Sequence, residues 1–504
     1  MNLELLTPKE MAEADRLAIA NGPFDGIGLM RNAGAAVAAV VLERFPSRKR
    51  VHVLAGPGNN GGDGYVVARN LHESGVAVSL WSAGTPRDGS DAAIAAAECP
   101  VPRRSLADFD AGADDLIVDA LYGAGLSKPL ADDAARAASL VAAGRLPVIA
   151  VDLPSGVSGE SGKVQGNAFQ AAVTVTFACR KPGHLLLPGR ELCGEVVVAD
   201  IGIAASVIDS LAVGTFENQP ALWRQAFPSP DVDTHKYRRG HVGVFSGGPT
   251  STGAARLSAL AAARSGAGAV TVLAPGSALA VNAMHLTSIM LRKVDDVAEL
   301  AALLGEGRSS AFVLGPGFGP GEKARDFALA VLAAGGRVGE PGAEGLVLDA
   351  DGITAFREAP QWLFEAAARA GAPTLVLTPH EGEFSRLFPD IAGNDDLSKL
   401  GKARAAARRA NGVVIYKGAD TVIAAPDDRA AINANGVPWL ATAGSGDVLA
   451  GIVAGLIAQR MPAFEAACSG VWLHAEAGRS FGPGLIAEDL PTALLPALAE
   501  LYGS

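Results

Sequence analysis

The segment Ala441–Gln459, ATAGSGDVLAGIVAGLIAQ, holds the residues with the clearest chemical potential. A Gly-Ser-Gly turn opens directly onto an apolar helix expected over Val448–Ala458 and buried all round. Free N–H groups of Ser445, Gly446 and Asp447 at such a helix start would form an anion pocket. Asp447 beside it could accept a hydroxyl proton as a phosphoryl group transfers onto that oxygen. A lone Asp in a first helical turn is commonly only a terminal charge. The glycines before Asp447 and the apolar helix behind it favour the chemical reading.

Other segments suit a nucleotide. In YKGADTVIAAPD (Tyr416–Asp427) a strand ends in a Lys-Gly turn, where the Lys417 ammonium and the Gly418 and Ala419 amides could hold phosphates. LTPHEGEFSRL (Leu377–Leu387) sets His380 and Glu383 after another strand, although a buried structural His is an equally common reading. GPGFG (Gly315–Gly319) and GGPTSTGAA (Gly247–Ala255) are further glycine turns at strand ends. A Walker A motif is absent, and no G-x-S-x-G elbow sits on a strand-to-helix turn, so hydrolase chemistry has no foothold.

The first half carries a different set. GPGNNGGDG (Gly56–Gly64) lies between a strand and a helix, where backbone can approach a pyrophosphate closely. No acid ends the next strand at Trp81–Gly84, which disfavours a nicotinamide redox domain. Asp119 and Asp152 each follow an apolar strand. Either alone would most simply cap a turn. Together with the Asn-rich loop and a Ser hydroxyl they make a hard-oxygen set suited to an alkali or alkaline-earth cation. Lys128 is either a phosphate partner or a solvated surface lysine.

The elements that must position these groups follow from the pattern. Short apolar runs alternate with Ala-rich amphipathic stretches, which is the signature of parallel α/β sheets. Strands are expected at Val51–Ala55, Val76–Trp81, Leu116–Asp119, Val148–Asp152, Val173–Phe177 and Val196–Val198. A second series runs Val242–Ser246, Ala269–Leu273, Phe312–Leu314, Leu346–Asp349, Thr374–Leu377 and Val413–Tyr416, with a helix at Gly253–Ser265. Thr7, Pro8 and Glu10 form a capping box at a first helix, and a second helix is expected over Gly28–Arg44. Three prolines in 218–234 read as a linker, and Gly335–Gly345 as a surface loop.

A chain of 504 residues with net charge −11 is long enough for two or three cored domains. The acidic balance argues against nucleic-acid binding. Four cysteines without metal spacing fit a reduced compartment, and the N-terminus lacks a signal-peptide pattern, so a cytoplasmic protein is expected. The uncharged run Ser265–Leu291 is broken by Pro275, Gly276, Asn282 and His285, so no membrane association is expected from it.

The first-half motifs GPGNNGGDG, DALYGAGL and VDLPSG, in this order and spacing, resemble the epimerase domain of the NAD(P)H-hydrate repair enzymes over residues 1–217. The resemblance implies a Rossmann-like three-layer sandwich that interconverts the R and S forms of hydrated NADH or NADPH. It places substrate on Asn59, Asn60, Gly61, Gly62 and Asp63, on the loop Gly123, Ala124, Gly125, Leu126, Ser127, Lys128 and Pro129, and on Asp152, the expected acid/base. It places K+ on Asn60, Asp119 and Ser155. Ala124 stands where the family more commonly has Thr.

KYRRGHVGV (Lys236–Val244), GPGFG, LDADG (Leu348–Gly352), TPHEGE, KGADTVIAAP, AGSGDVLAGI and GLIAEDLP (Gly484–Pro491) resemble the dehydratase domain of the same enzymes over residues 235–504. That implies a ribokinase-like α/β fold using ADP, with Mg2+ on its diphosphate, to drive dehydration of the S hydrate. Nucleotide would contact Lys417, Gly418, Ala419, Asp420, Thr421 and Gly446; hydrate would contact Ala254, Gly319, His380 and Asp447. The expected partners are small molecules, and a homo-oligomer is expected. The residues themselves admit two other readings: a ribokinase-like kinase whose product keeps its phosphate, and an N-terminal half that binds nucleotide without catalysis.

Overall fold

The computed structural model describes residues 3–229, 236, 239–335 and 342–503, which divide into compact units at Met1–Thr215 and Phe216–Ser504. The first unit is built on seven strands: β1 (Val51–Ala55), β2 (Val78–Ser82), β3 (Arg103–Ser105), β4 (Leu116–Ala120), β5 (Val148–Val151), β6 (Val173–Phe177) and β7 (Glu195–Ala199). Their spatial order is β3-β2-β1-β4-β5-β6-β7, and every pairing is parallel. All residues of β1, β4, β5 and β6 are buried, as expected of strands covered on both faces. Chain order reverses between β1 and β4, so the crevice beyond their carboxyl ends is the place such a sheet offers a ligand.

Two helices close that crevice. Pro8–Asn21 starts at the expected capping box, with Glu10 N–H donating to Thr7 Oγ1 (3.2 Å) and Thr7 N–H to Glu10 Oε2 (2.7 Å). Gly26–Arg44 starts two residues earlier than expected because Asp25 caps it through the Gly28 N–H. This 19-residue helix is apolar enough to cross a membrane by length and composition. Here Leu29, Met30, Ala33, Val37 and Val41 pack into the sheet core instead. A side chain on Gly34 would collide with Val66, so that glycine lets the helix lie tightly on Asn59–Glu73.

The second unit has a ten-stranded sheet made of β8 (Thr215–Glu217), β9 (His241–Phe245), β10 (Ala269–Ala274), β11 (Met290–Lys293), β12 (Ala311–Leu314), β13 (Gly345–Leu348), β14 (Thr374–Leu377), β15 (Val413–Tyr416), β16 (Val422–Ala424) and β17 (Ala430–Ile432). The order is β11-β10-β9-β12-β13-β14-β15-β16-β17-β8, parallel from β11 to β15 and antiparallel from β15 to β17. Helix Ser445–Ala458 is buried over all residues except Gly446 and Asp447. A Cβ at Gly451 would overlap the Ser258 carbonyl, so the helix packs backbone-close on Gly253–Arg264.

Two expectations need correction. The linker over 218–234 is not one through residue 227. Trp223 is 1% exposed and stacks edge-on with Trp472, and Asn218 Nδ2 donates to the Cys468 carbonyl (2.8 Å). Pro220 begins a short helix rather than a spacer; residues 230–234 lie outside the described residues. The loop over Gly335–Gly345 is framed by structure, since Gly335 bridges Ala343 and Gly345 starts β13, with 336–341 outside the described residues. Tyr237 and Arg238 of the KYRRGHVGV motif also lie outside them. The strands β3, β8, β11 and β17 had no expectation. The four cysteines are unbridged.

Candidate active sites

The loops after β1, β4 and β5 meet in the first unit around a cavity of about 730 Å³. Asn59, Asn60, Asp63, the loop Gly123–Pro129 and Asp152 all line it, as the sequence indicated. Gly61 and Gly62 contribute closeness instead of lining. A Cβ at Gly61 would overlap the Gly56 carbonyl, and one at Gly62 would meet Met30 Sδ.

Asp152 is the hub of this cavity. Its backbone sits at φ +65°, a conformation short acidic side chains tolerate better than most. The strain is held by Asp152 N–H donating to Val175 O (2.8 Å) and His184 Nε2 bonding to Asp152 O (2.8 Å). Its carboxylate accepts from Lys181 Nζ (2.7 Å), Thr176 Oγ1 (3.0 Å) and Ala124 N–H (2.9 Å). Burial pushes this carboxyl up, but the Lys181 charge and hydrogen bond outweigh it and hold it at about 2. Asp152 is therefore a fixed anion that orients the 123–129 loop and pairs a buried lysine.

Asp119 and Ser155 lie beneath the cavity, both fully buried. Ser155 N–H and Oγ both donate to the Asp119 carboxylate, at 2.7 and 2.6 Å, and burial raises Asp119 to about 6 despite these bonds. Asn60 Nδ2 is buried without a hydrogen-bond partner. A buried carboxylate met only by neutral donors suits a monovalent cation, and the Asn60 amide stands by Gly123 on the neighbouring loop.

In the second unit, loops at the carboxyl ends of β9, β12, β13, β14 and β15 converge on the start of helix Ser445–Ala458. Gly444 at φ +89° turns the chain into that helix, which suits glycine alone among common residues. Lys417 Nζ, from the end of β15, pairs with Asp349 Oδ1 (2.8 Å), from the end of β13, and Thr378 Oγ1 donates to the same oxygen (2.7 Å). A Cβ at Gly446 would stand 3.3 Å from Lys417 Nζ and 3.4 Å from Asp349 Oδ2, so the helix mouth faces this pair. Burial and the neighbouring Asp349 raise the Asp447 carboxyl to about 7, against the pull of Lys417. Lys417 loses some basicity to burial, but Asp349 restores it and leaves it raised overall.

Some expected donors are already used. Ser445 N–H donates to the Thr442 carbonyl (3.3 Å), and its hydroxyl bonds His474 Nε2 (2.9 Å). The helix therefore presents Gly446 and Asp447 N–H, two donors where three were expected, since Val448 N–H already bonds Gly444 O. Gly418 N–H donates to Thr421 Oγ1 (3.1 Å), closing that turn on itself, and Asp420 is paired with Lys399 (2.5 Å). His380 caps its own helix through Nδ1, which accepts from Gly382 and Glu383 N–H, and its ring is exposed. Gly319 N–H donates to Asp351 Oδ2 (2.9 Å), and the adjacent turn glycine, Gly317, faces Ala254.

A family model described as NAD(P)H-hydrate dehydratase matches residues 242–498, and one described as YjeF-related protein N-terminus matches residues 26–183. The bifunctional NAD(P)H-hydrate repair enzyme of Moorella thermoacetica is 34% identical, over 94% of this chain and 92% of that one. The enzyme of the same description from Gloeobacter violaceus is 36% identical, over 94% of this chain and 93% of that one. The chain belongs to the bifunctional NAD(P)H-hydrate repair enzyme family. Among solved structures, the ADP/ATP-dependent NAD(P)H-hydrate dehydratase of Bacillus subtilis, co-crystallized with ATP/Mg2+, is 24% identical with a TM-score of 0.49. That match covers 56% of this chain and 98% of that one.

The fold of this NAD(P)H-hydrate repair family member also brings to the candidate sites side chains that the sequence did not single out. In the first unit they are Asp15, Thr176, Lys181 and His184; in the second, Asp349, Thr378 and His474. Lys181 had a usable signal, since it follows an apolar strand and precedes a Pro-Gly turn. Asp349 had the same signal inside LDADG.

Proposed function

We propose that the first unit interconverts the R and S epimers of hydrated NADH and NADPH, and that the second uses ADP to dehydrate the S epimer back to the reduced cofactor. The observation that carries the reading is Asp447, a carboxyl raised to about 7 at the mouth of a buried helix facing Lys417. The hydrate's hydroxyl is a poor leaving group. Asp447 takes its proton as the oxygen attacks the terminal phosphorus of ADP. The Gly446 and Asp447 N–H groups and the Lys417 ammonium steady the transferring phosphoryl group. Phosphate then departs with the C–O electrons, and the ring carbon next to that centre loses a proton to restore the double bond.

Among the described residues, no group of three or more His, Cys, Asp or Glu side chains is set to hold a metal. That fits Mg2+ bound mainly through phosphates and water, with Asp349 Oδ2 as the protein carboxylate at the helix mouth. Mg2+ there would supply neutralising charge on the diphosphate. In the first unit, K+ on Asp119, Ser155 and Asn60 would supply the positive charge that the buried carboxylate lacks. A homo-oligomer in the cytoplasm belongs to the same proposal, as do the hydrate contacts of His380, Gly319 and Ala254.

Full-length protein given S hydrate, ADP and Mg2+ should regenerate the reduced-cofactor absorbance, with loss of water in product mass; a stable phosphoester would show a kinase instead. K+ has its own signature. Asp119 keeps its proton to about pH 6 when folded but loses it near 3.8 when unfolded, so its folded anion costs stability above pH 6. K+ should therefore raise the melting temperature of the first unit by several degrees at pH 8 and hardly at all at pH 5, against choline at equal ionic strength. Equal shifts at both pH values would remove the site.

A further inference from the structure

Epimerisation needs a group that both gives and takes a proton. Three carboxyls gather around Lys181 in the first cavity: Asp15, Asp63 and Asp152. Asp152 has its oxygens engaged by Lys181, Thr176 and Ala124 N–H and stays an anion. Asp63 is sealed at 8% exposure, and burial, with Asp152 and Asp15 beside it, pushes its carboxyl well above the usual range. Asp15 is placed differently. The helix Pro8–Asn21 carries Met11, Asp15 and Ile19 at four-residue spacing, and all three line the cavity. Asp15 is half-buried, and among the described residues no hydrogen bond occupies its carboxyl. Lys181, Asp152 and Asp63 are the charged or titratable groups that face it.

We propose that Asp15 is the proton-transfer residue of the epimerase cavity, acting on the hydroxyl of the hydrated nicotinamide ring. The proposal rests on the epimerase reading above. Water added to the ring's enamine double bond leaves the hydroxyl on the carbon bonded to nitrogen. The Asp15 carboxyl gives its proton to that hydroxyl, the C–O bond breaks with its electron pair leaving in water, and the nitrogen lone pair forms a C=N+ bond. Water then adds to the opposite face, a new C–O bond forms, and the surplus proton returns to Asp15. Atoms and charge balance without an oxidant. The carboxylate-rich wall suits a cation that exists only in mid-reaction. Burial raises Asp15 to about 6, which leaves both of its forms populated near neutral pH.

The test uses the full chain with separated R hydrate in 18O-labelled water, without ADP. Wild type should convert R to S with one labelled oxygen entering per inversion; no conversion by wild type would overturn the epimerase reading itself. Asp15→Asn should slow conversion at least 100-fold above the uncatalysed background and abolish the pH dependence near 6, while S hydrate with ADP is still rescued. Asp15→Glu should restore part of the rate. Wild-type conversion by Asp15→Asn, inversion without label, or a pH profile unchanged in shape in the slowed variant would each overturn the role of Asp15.

Discussion

Asp447→Asn is expected to lower ADP-dependent rescue of the S hydrate at least 1000-fold while R-to-S conversion continues. Loss of a positioned general base costs about 10²–10⁴ in rate. Asn retains the size and can donate a hydrogen bond, but it cannot take the hydroxyl proton. The base must be ionised to work, so wild-type kcat/KM should climb with pH up to about 7 and then level off. The residual activity of the variant should lack that limb. The same substitution should stabilise the second unit at pH 8. A carboxyl whose folded value is raised holds its proton where the unfolded chain has lost it, so stability falls as pH rises from about 4 to 7. Removing the buried anion returns up to about 4 kcal/mol. Full rescue activity in the variant would sink the mechanism. A variant that melts below wild type at pH 8 would sink the burial argument.

Lys181→Met should abolish epimerisation and destabilise the first unit by about 3–5 kcal/mol, because it strands the Asp152 anion in a buried setting. Lys181 is 2% exposed, and its ammonium also donates to Thr176 Oγ1 (2.9 Å). The stability lent by Asp152's lowered value is in place above about pH 4 and fades only as pH falls toward 2, so the loss should be plain at neutral pH. Adding Asp152→Asn to Lys181→Met should recover much of the melting temperature without recovering epimerisation. Rescue of the S hydrate should persist in both variants, since its residues belong to the second unit. Wild-type epimerisation by Lys181→Met would refute the role given to the pair.

Legibility in the sequence followed burial. β1 and β6 were readable to the residue because β-branched and apolar residues dominate both, VHVLA and VTVTF, and every position is buried. β3 reads Arg-Arg-Ser with all three residues exposed, and β11 is an exposed edge, so neither carries a hydrophobic signal. The span from 218 misled because three prolines interrupt it with no clear period, although a buried Trp223 anchors it. The site loops were legible for a different reason: glycines and small polar residues crowd where backbone must approach a ligand. Their side-chain partners were not. Asp15 fits the polar face of an ordinary amphipathic helix, and His474 hides in a long apolar one. Only the crossing of strands in space brings them to the loops.

The capped helix at Pro8–Asn21 has a practical consequence. It precedes the family match at residues 26–183, yet it forms one wall of the cavity. A fragment trimmed to that match would keep the asparagine-glycine loop and the buried lysine, and would still bind some ligand. It would nevertheless lack the wall that carries Met11, Asp15 and Ile19, and bulk water would reach more freely a reaction whose stereochemical outcome depends on which single water arrives.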